Sequence, residues 1–428
     1  MARGTRVVRW FPLMLAASAF WGCRDVLPPP DDLEASRLEP SPTAAAGEFY
    51  SIDVPGIPAV TIGTGGIADG PLARDISRRF PSLVVSDCLE RAAAAHHSLP
   101  LELAGNPPLS FTEFALHWAG CPDPSAAVTT ILTSDTGRDV LYRHLRNIVK
   151  DGDYTHVGIA RAAASPPYAN RWYGLLVHRQ IEMKAVSAVA EPGASVPLQF
   201  RLEGDFNGAV IAVTAPNGEV RTSEPGVGGS WVVASVDVGA RVGETWVELL
   251  GHNSEGPQVL ALFPIQVGRS VPDRWVGRPV ADESWIRSAD EAEGFAAGLI
   301  QADRRRFGLP DLSWDPELAR VARGHSADMS DNDFFAHVSP TSGTIMDRLR
   351  RSGYPTSMAM ENIAMAPTLA EAQESLMRSP GHRAAILSPE ATHFGVGVAT
   401  RTVPGHGTVR HLTQIYARRE ASGQTAGR

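Results

Sequence analysis

The sequence predicts an α/β protein of several units, and three features carry that reading. The last third reads as helices followed by two strands. The middle reads as short alternating runs punctuated by turn residues. Residues 83–184 echo the order of the last third. A chain of 428 residues has room for several cores. Its 39 basic and 47 acidic side chains leave a net charge of −8, so the clustered positive charge that binds nucleic acid is missing, and nucleic acid is excluded as a partner. An apolar content of 43% with 33 prolines and 40 glycines fits globular units joined by proline-rich connections.

In chain order, Arg3, Arg6 and Arg9 precede an apolar run from Trp10 to Phe20. That run is about half of the ~20 residues needed to span a bilayer, so 1–23 reads as a signal peptide. The run ends at Gly22-Cys23, which resembles a bacterial lipobox with Cys23 as the lipid-carrying residue. Two localisations follow: a membrane-anchored lipoprotein of the periplasm or cell surface, or ordinary secretion with Cys23 discarded. Residues 24–48 are too poor in large apolar side chains to form a core and read as a disordered linker; 49–82 read as an irregular lead-in. In the unit at 83–184, Cys88 and Cys121 would meet an oxidising compartment after export. They are expected to pair as a disulfide, two buried thiols being the alternative.

Between 190 and 268, runs such as Leu198-Gln199-Phe200-Arg201-Leu202 and Thr245-Trp246-Val247-Glu248-Leu249 alternate and are separated by turns such as Pro216-Asn217-Gly218. This predicts an immunoglobulin-like β-sandwich serving as spacer or docking module. A linker at 269–284 leads to the last unit, 285–420, and a tail at 421–428. Asp315-Pro316-Glu317 supplies an N-cap, a first-turn proline and an acid for the helix dipole. The stripe Leu318, Val321, Ala322, His325, Met329 puts His325 on the buried face of that helix, as a satisfied core histidine. A helix near 345–352 stops at Gly353, another starts at a capping box, Thr368 to Glu371, and strands at 394–399 and 409–417 are joined through Pro404-Gly405. His411 alternates with Thr413 and Ile415 on the last strand and reads as a sheet residue.

A self-comparison aligns Arg143-His144-Leu145-Arg146 with Gly381-His382-Arg383-Ala384. It also aligns Thr155-His156-Val157-Gly158 with Thr392-His393-Phe394-Gly395. Residues 83–184 are therefore expected to be a degenerate copy of the last unit.

Three stretches of the last unit concentrate unusual residues: Phe335-Ala336-His337-Val338-Ser339-Pro340, Met360-Glu361-Asn362-Ile363-Ala364, and Ser379-Pro380-Gly381-His382-Arg383. With Gly395-Val396-Gly397 they resemble the bacterial branch of the CAP superfamily, also called SCP domains, over about 291–419. The resemblance implies an α-β-α sandwich with a cleft of two histidines and two acids that holds a divalent metal in some members. It places the first histidine on His337, the first acid on Glu361 and the second histidine on His382. The second acid transfers less cleanly: Glu371 is taken by the capping box, which leaves Glu374.

Independently of the family, two imidazoles and a carboxylate suffice as ligands for Zn²⁺ with a fourth position open. Without metal, the same three side chains would form a hydrogen-bonded network pinning loops. The expected function is a cell-envelope protein binding a small lipid-like or glycan ligand at His337, Glu361, Glu374 and His382. A metal-assisted hydrolase with Glu361 as base is one alternative, and a purely structural envelope protein is the other.

Overall fold

The computed structural model describes residues 70–105, 107–134, 138–150, 152–164, 168–225, 231–276, 282–403 and 407–419, with short strands at 6–9, 15–16 and 59–61. Cys23, the linker 24–48, the turn Pro404-Gly405 and the tail 421–428 lie outside them.

The C-terminal unit begins with the helix Ala289–Arg306 and the helix Pro316–Asp331. The Asp315 carboxylate accepts from the Glu317 and Leu318 amides at 2.9 and 3.3 Å, so the expected cap forms. The helix Ile345–Ser352 ends where Gly353 turns to φ +76, a conformation that glycine adopts without a Cβ clash. The expected capping box at Thr368 forms only in half. The Thr368 hydroxyl accepts from the Glu371 amide at 3.2 Å, but the Glu371 carboxylate binds the Thr368 hydroxyl and the Leu109 amide instead of the N-cap amide. The competing donor is the open amino end of the helix Leu109–Trp118, packed against it from the other end of the chain.

The C-terminal sheet places its strands in the order 15–16, 359–366, 407–417, 393–403, 313–314. All contacts are antiparallel except the last. Alternation along the last strand sends Ile415 and Ala417 towards Leu318 and Val321, and Leu412 and Tyr416 towards Ala296, Ile300 and Leu376. Helices thus cover both faces.

A second sheet has the order 6–9, 127–133, 170–177, 156–163, 84–85, again with only the last contact parallel. Local details recur. A Cβ on Gly158 would lie 2.1 Å from the Leu89 carbonyl carbon, and one on Gly395 would lie 2.2 Å from the Ala319 amide nitrogen, so a helix backbone rests on the strand at both places. Thr155 and Thr392 each place their hydroxyl 2.9 Å from Nδ1 of the following histidine. Cys88 and Cys121 form a disulfide with Cα atoms 5.4 Å apart.

The lead-in expected to be irregular contains the helix Gly70–Arg79. Leu72, Ile76 and Phe80 follow helical spacing and enter a core with Leu141, Leu145 and Trp172; the charged residues between them hid the stripe.

Two sheets lie between these units, antiparallel except where the strand 189–190 runs parallel to its neighbour 256–267. One comprises strands 181–183, 195–202 and 232–237; the other is built on 208–214, 243–253 and 256–267 and also holds 189–190 and 220–223. Val196, Leu198 and Phe200 meet Ile211, Val247, Leu249 and Ile265 in their common core. The central strands of the larger sheet are buried on both faces, because Val210, Leu250, Val259 and Leu262 pack outward into the C-terminal core. The expected linker is tied down as well. Trp275 packs edge-on to Phe111 with ring centroids 5.3 Å apart, and buried Glu283 accepts from the Ala370 amide and pairs with Arg410.

Candidate functional site

Glu361 centres a buried polar cluster. It lies on the strand Ala359–Ala366, 2% exposed, at a position where alternation would ordinarily put an apolar side chain. The His337 Nδ1–H donates to Glu361 Oε1 at 2.9 Å, and Arg348 pairs with Oε2. The same guanidinium donates to the carbonyls of His337 and Gly343 at 3.1 and 2.7 Å, so a single buried arginine fixes both the acid and the His337 loop. His325 stands 3.9 Å from Glu361 Oε1 and donates from Nε2 to the Ala336 carbonyl. Burial alone would raise the Glu361 carboxyl, but Arg348, His325 and His337 outweigh it and hold it well below the ordinary carboxylate range.

His382 is fully buried beside this cluster on the helix Pro380–Ile386. Its Nδ1 lies 2.5 Å from the Ser379 hydroxyl, and its carbonyl accepts from Asn362, the neighbour of Glu361, at 3.1 Å. Burial, reinforced by His337, holds the imidazole well below its usual value and therefore neutral.

The middle unit packs against the His382 and His337 sides of the cluster. Glu248, on the strand Gly243–Asn253, accepts from the Ser379 hydroxyl and from the Gly381 amide at 2.7 Å. Burial pushes its carboxyl up to about 7 against those two donors. The following turn also touches the site: the Val338 amide donates to the Glu255 carbonyl at 3.1 Å, and Gly256, at φ +104, leaves room for His337 that a Cβ would take, 3.1 Å from the His337 Cβ.

A family model, CAP, the cysteine-rich secretory protein family, matches residues 298–416. This region is a CAP domain. Over 122 residues the chain is 39% identical to the uncharacterized membrane protein YlbC of Bacillus subtilis (strain 168), covering 28% of this chain and 35% of that protein. Over 100 residues it is 42% identical to the uncharacterized protein YkwD of the same organism, covering 23% and 39%. The chain thus spans little more than a third of the length of either relative. An SCP-domain extracellular protein of Bacillus anthracis str. Ames is similar at 16% identity, TM-score 0.29, over 69% of this chain and 81% of that one. A cysteine-rich secretory protein of Staphylococcus aureus subsp. aureus Mu50 is similar at 9% identity, TM-score 0.25, over 56% and 84%.

The other expected residues of the CAP domain fall elsewhere. Glu374 pairs with Arg378 at 2.7 Å, and Arg378 in turn pairs with Glu113, so Glu374 belongs to the contact with the N-terminal unit. His411 is buried on the last strand opposite Met365 and Ala399, and burial with Arg401 nearby lowers it to about 4. The expected zinc set does not fit. Among the described residues, the group of three whose donor atoms lie within 4.8 Å of one another is Cys88, Cys121 and Asp123, not His337, Glu361 and His382. Arg348 also pairs with Glu361 Oε2, so a metal would have to compete with a fixed cation for that carboxylate. His337 Nε2 is left buried without a partner.

Arg348 and Glu248 escaped the sequence reading. Arg348 looks like one more charge on a helix rich in them. Glu248 fits the alternation of a half-exposed strand, and the one sign that its face is covered is that Trp246 and Leu250, two residues to either side, are apolar.

Proposed function

We propose that this chain is an exported cell-envelope protein whose CAP domain is a binding module for a small lipid-like or glycan ligand, with the middle unit seated over the site as its cover. Glu248 carries this reading. A carboxylate from another unit occupies the Ser379 hydroxyl and Gly381 amide beside His382, donors that a glycan hydroxyl or a lipid headgroup oxygen would use once the strand withdrew. The unpartnered His337 Nε2 supports the same placement. A hydrolytic role for Glu361 finds less support, because a carboxylate held so far down by Arg348 is a weak base.

The test is binding of soluble peptidoglycan fragments and of phospholipid vesicles by the full chain and by Glu248→Ala. The variant should bind one of them at least ~10-fold more tightly than the parent, the equivalent of about 1.4 kcal/mol. If neither protein binds either probe, the module reading fails. The Arg348–Glu361–His337 bonds favour a second reading, a structural network, under which His337→Ala lowers the melting temperature and changes no binding.

The arginine-led leader, the cysteine at 23 and the disulfide support export, with attachment through lipid on Cys23 or release as a secreted protein. No described helix is long and apolar enough to cross a membrane. We take 83–184 as a degenerate CAP unit and 190–268 as an immunoglobulin-like unit. The shared strand order and the paired close approaches at Gly158 and Gly395 support the first, and the two sheets around one core support the second.

A further inference from the structure

Away from the CAP site, a cavity of about 350 Å³ opens between the N-terminal unit and the middle unit, and the Cys88–Cys121 disulfide forms part of its wall. We propose that this disulfide exchanges with an external dithiol, with Cys88 as the reacting sulfur and Cys121 as its resolving partner.

The two cysteines are not equivalent. Cys121 is 1% exposed, whereas Cys88 is partly open to the cavity. Cys88 occupies the second position of the helix Asp87–Ala95, whose N-cap Ser86 makes no side-chain capping bond. Ser86 therefore does not compete for the first-turn amides, and the helix amino end favours a thiolate there. The Ser86 hydroxyl lies 3.5 Å from Cys88 Sγ, and the Arg179 guanidinium approaches it to 3.8 Å. Helix amino ends and neighbouring cations are the two surroundings that lower a thiol pKa and make it a nucleophile and a good leaving group. Asp123 fixes the guanidinium, accepting from Nε at 2.9 Å and from Nη2 at 2.5 Å; its carboxylate, within 4.8 Å of the sulfurs, opposes a thiolate, so Arg179 and the helix amino end together must outweigh it. His156, which burial and Arg179 hold below its usual value, also lines the cavity; His117, Lys184, Glu182 and Glu203 complete its titratable groups.

The chemistry balances as a two-electron exchange. One thiolate of the dithiol attacks Cys88 Sγ, the Cys88–Cys121 bond breaks, and Cys121 leaves, taking the proton released by that thiol. The second thiol of the dithiol then attacks its own partner sulfur in the mixed disulfide and expels Cys88 as a thiolate beside Arg179, releasing its proton to solvent. The dithiol ends oxidised and the cysteine pair reduced. The reverse sequence oxidises the pair.

The experiment uses the full chain carrying Cys23→Ser, so that only this pair reports, with dithiothreitol as the dithiol. The pair should reduce without denaturant. Afterwards iodoacetamide should alkylate Cys88 about tenfold faster than Cys121 near neutral pH, with a rate midpoint below the ~8.5 of a free thiol. Arg179→Gln should move that midpoint upward, and Arg179→Lys, which keeps the charge if the Gln variant folds poorly, should leave it low. Reduction only in denaturant, equal alkylation of the two cysteines, or a midpoint indifferent to Arg179→Gln would each overturn the proposal.

Discussion

The N-terminal and C-terminal sheets, five strands each, are laid out alike, but the C-terminal one surrounds a charged cluster and, among the described residues, the matching positions of the other do not. Gly158 faces Leu175 and Leu175 faces Val128; in the same register Gly395 faces Ile415 and Ile415 faces Glu361. Val128 therefore stands where Glu361 stands. The next position along holds Thr129, bonded to His144 at 2.6 Å, in one sheet, and Asn362, bonded to the His382 carbonyl, in the other. The buried histidine persists while the carboxylate is replaced by an apolar side chain. An architecture of this kind depends on helix–strand approaches at glycine and tolerates either filling at the centre, provided that each filling is internally consistent. A buried acid demands donors, here the Arg348 cation and His337; a buried valine demands none.

The sharpest way to break that comparison is to give the C-terminal sheet the other filling. Glu361→Val leaves the Arg348 guanidinium buried and unpaired, and should cost about 3–5 kcal/mol in chemical denaturation, whereas Glu361→Val with Arg348→Met should recover most of the loss. A single variant costing less than about 1 kcal/mol would show that Arg348 finds water, and the contrast between the centres would be empty.

Substitution at the shared glycines tests the likeness instead of the difference. Gly158→Ala and Gly395→Ala each push a Cβ into helix backbone, and each should destabilise by about 1–3 kcal/mol in the same assay. A silent Gly158→Ala beside a costly Gly395→Ala would mean that the N-terminal helix does not rest on its strand as the C-terminal one does.

A smaller effect separates the sheets by pH. The folded Glu361 carboxyl lies below its ordinary value of 4.5, so the stability it contributes is complete above that value and is lost as pH falls below it towards the folded one. Val128 has nothing to protonate. Hydrogen exchange at pH 6 and pH 3, corrected for intrinsic rates, should show the strands 359–366 and 407–417 losing protection before 127–133 and 170–177. The opposite order would assign acid sensitivity to another group.

What the sequence revealed and what it hid divide along one line. Asp315 as a cap, Gly353 as a stop, Cys88 with Cys121 and the Gly158–Gly395 parallel are local or repeated signals, and the chain states them in its own order. Family resemblance places His337 and Glu361 together, and the structure joins them at 2.9 Å. The partners that decide what those residues do come from distant chain positions. Arg348 is 13 residues from Glu361, Glu248 is 133 residues from Gly381, and Glu113 is 262 residues from Ser375. No periodicity or spacing rule reaches across such separations. The half-formed capping box at Thr368 shows the same limit, since its acid was diverted by an amide from another unit.

The double-faced burial of the strand Gly243–Asn253 bears on where this protein can be cut. The family boundary at 298–416 marks where ancestry is legible, but the packed core extends further. A fragment starting near 285 would bare the apolar surface that Val210, Leu250, Val259 and Leu262 cover and leave the Ser379 and Gly381 donors without Glu248. Such a fragment would be a stickier and more open molecule than the parent, and under the proposed binding role an affinity measured on it would omit the competition from Glu248.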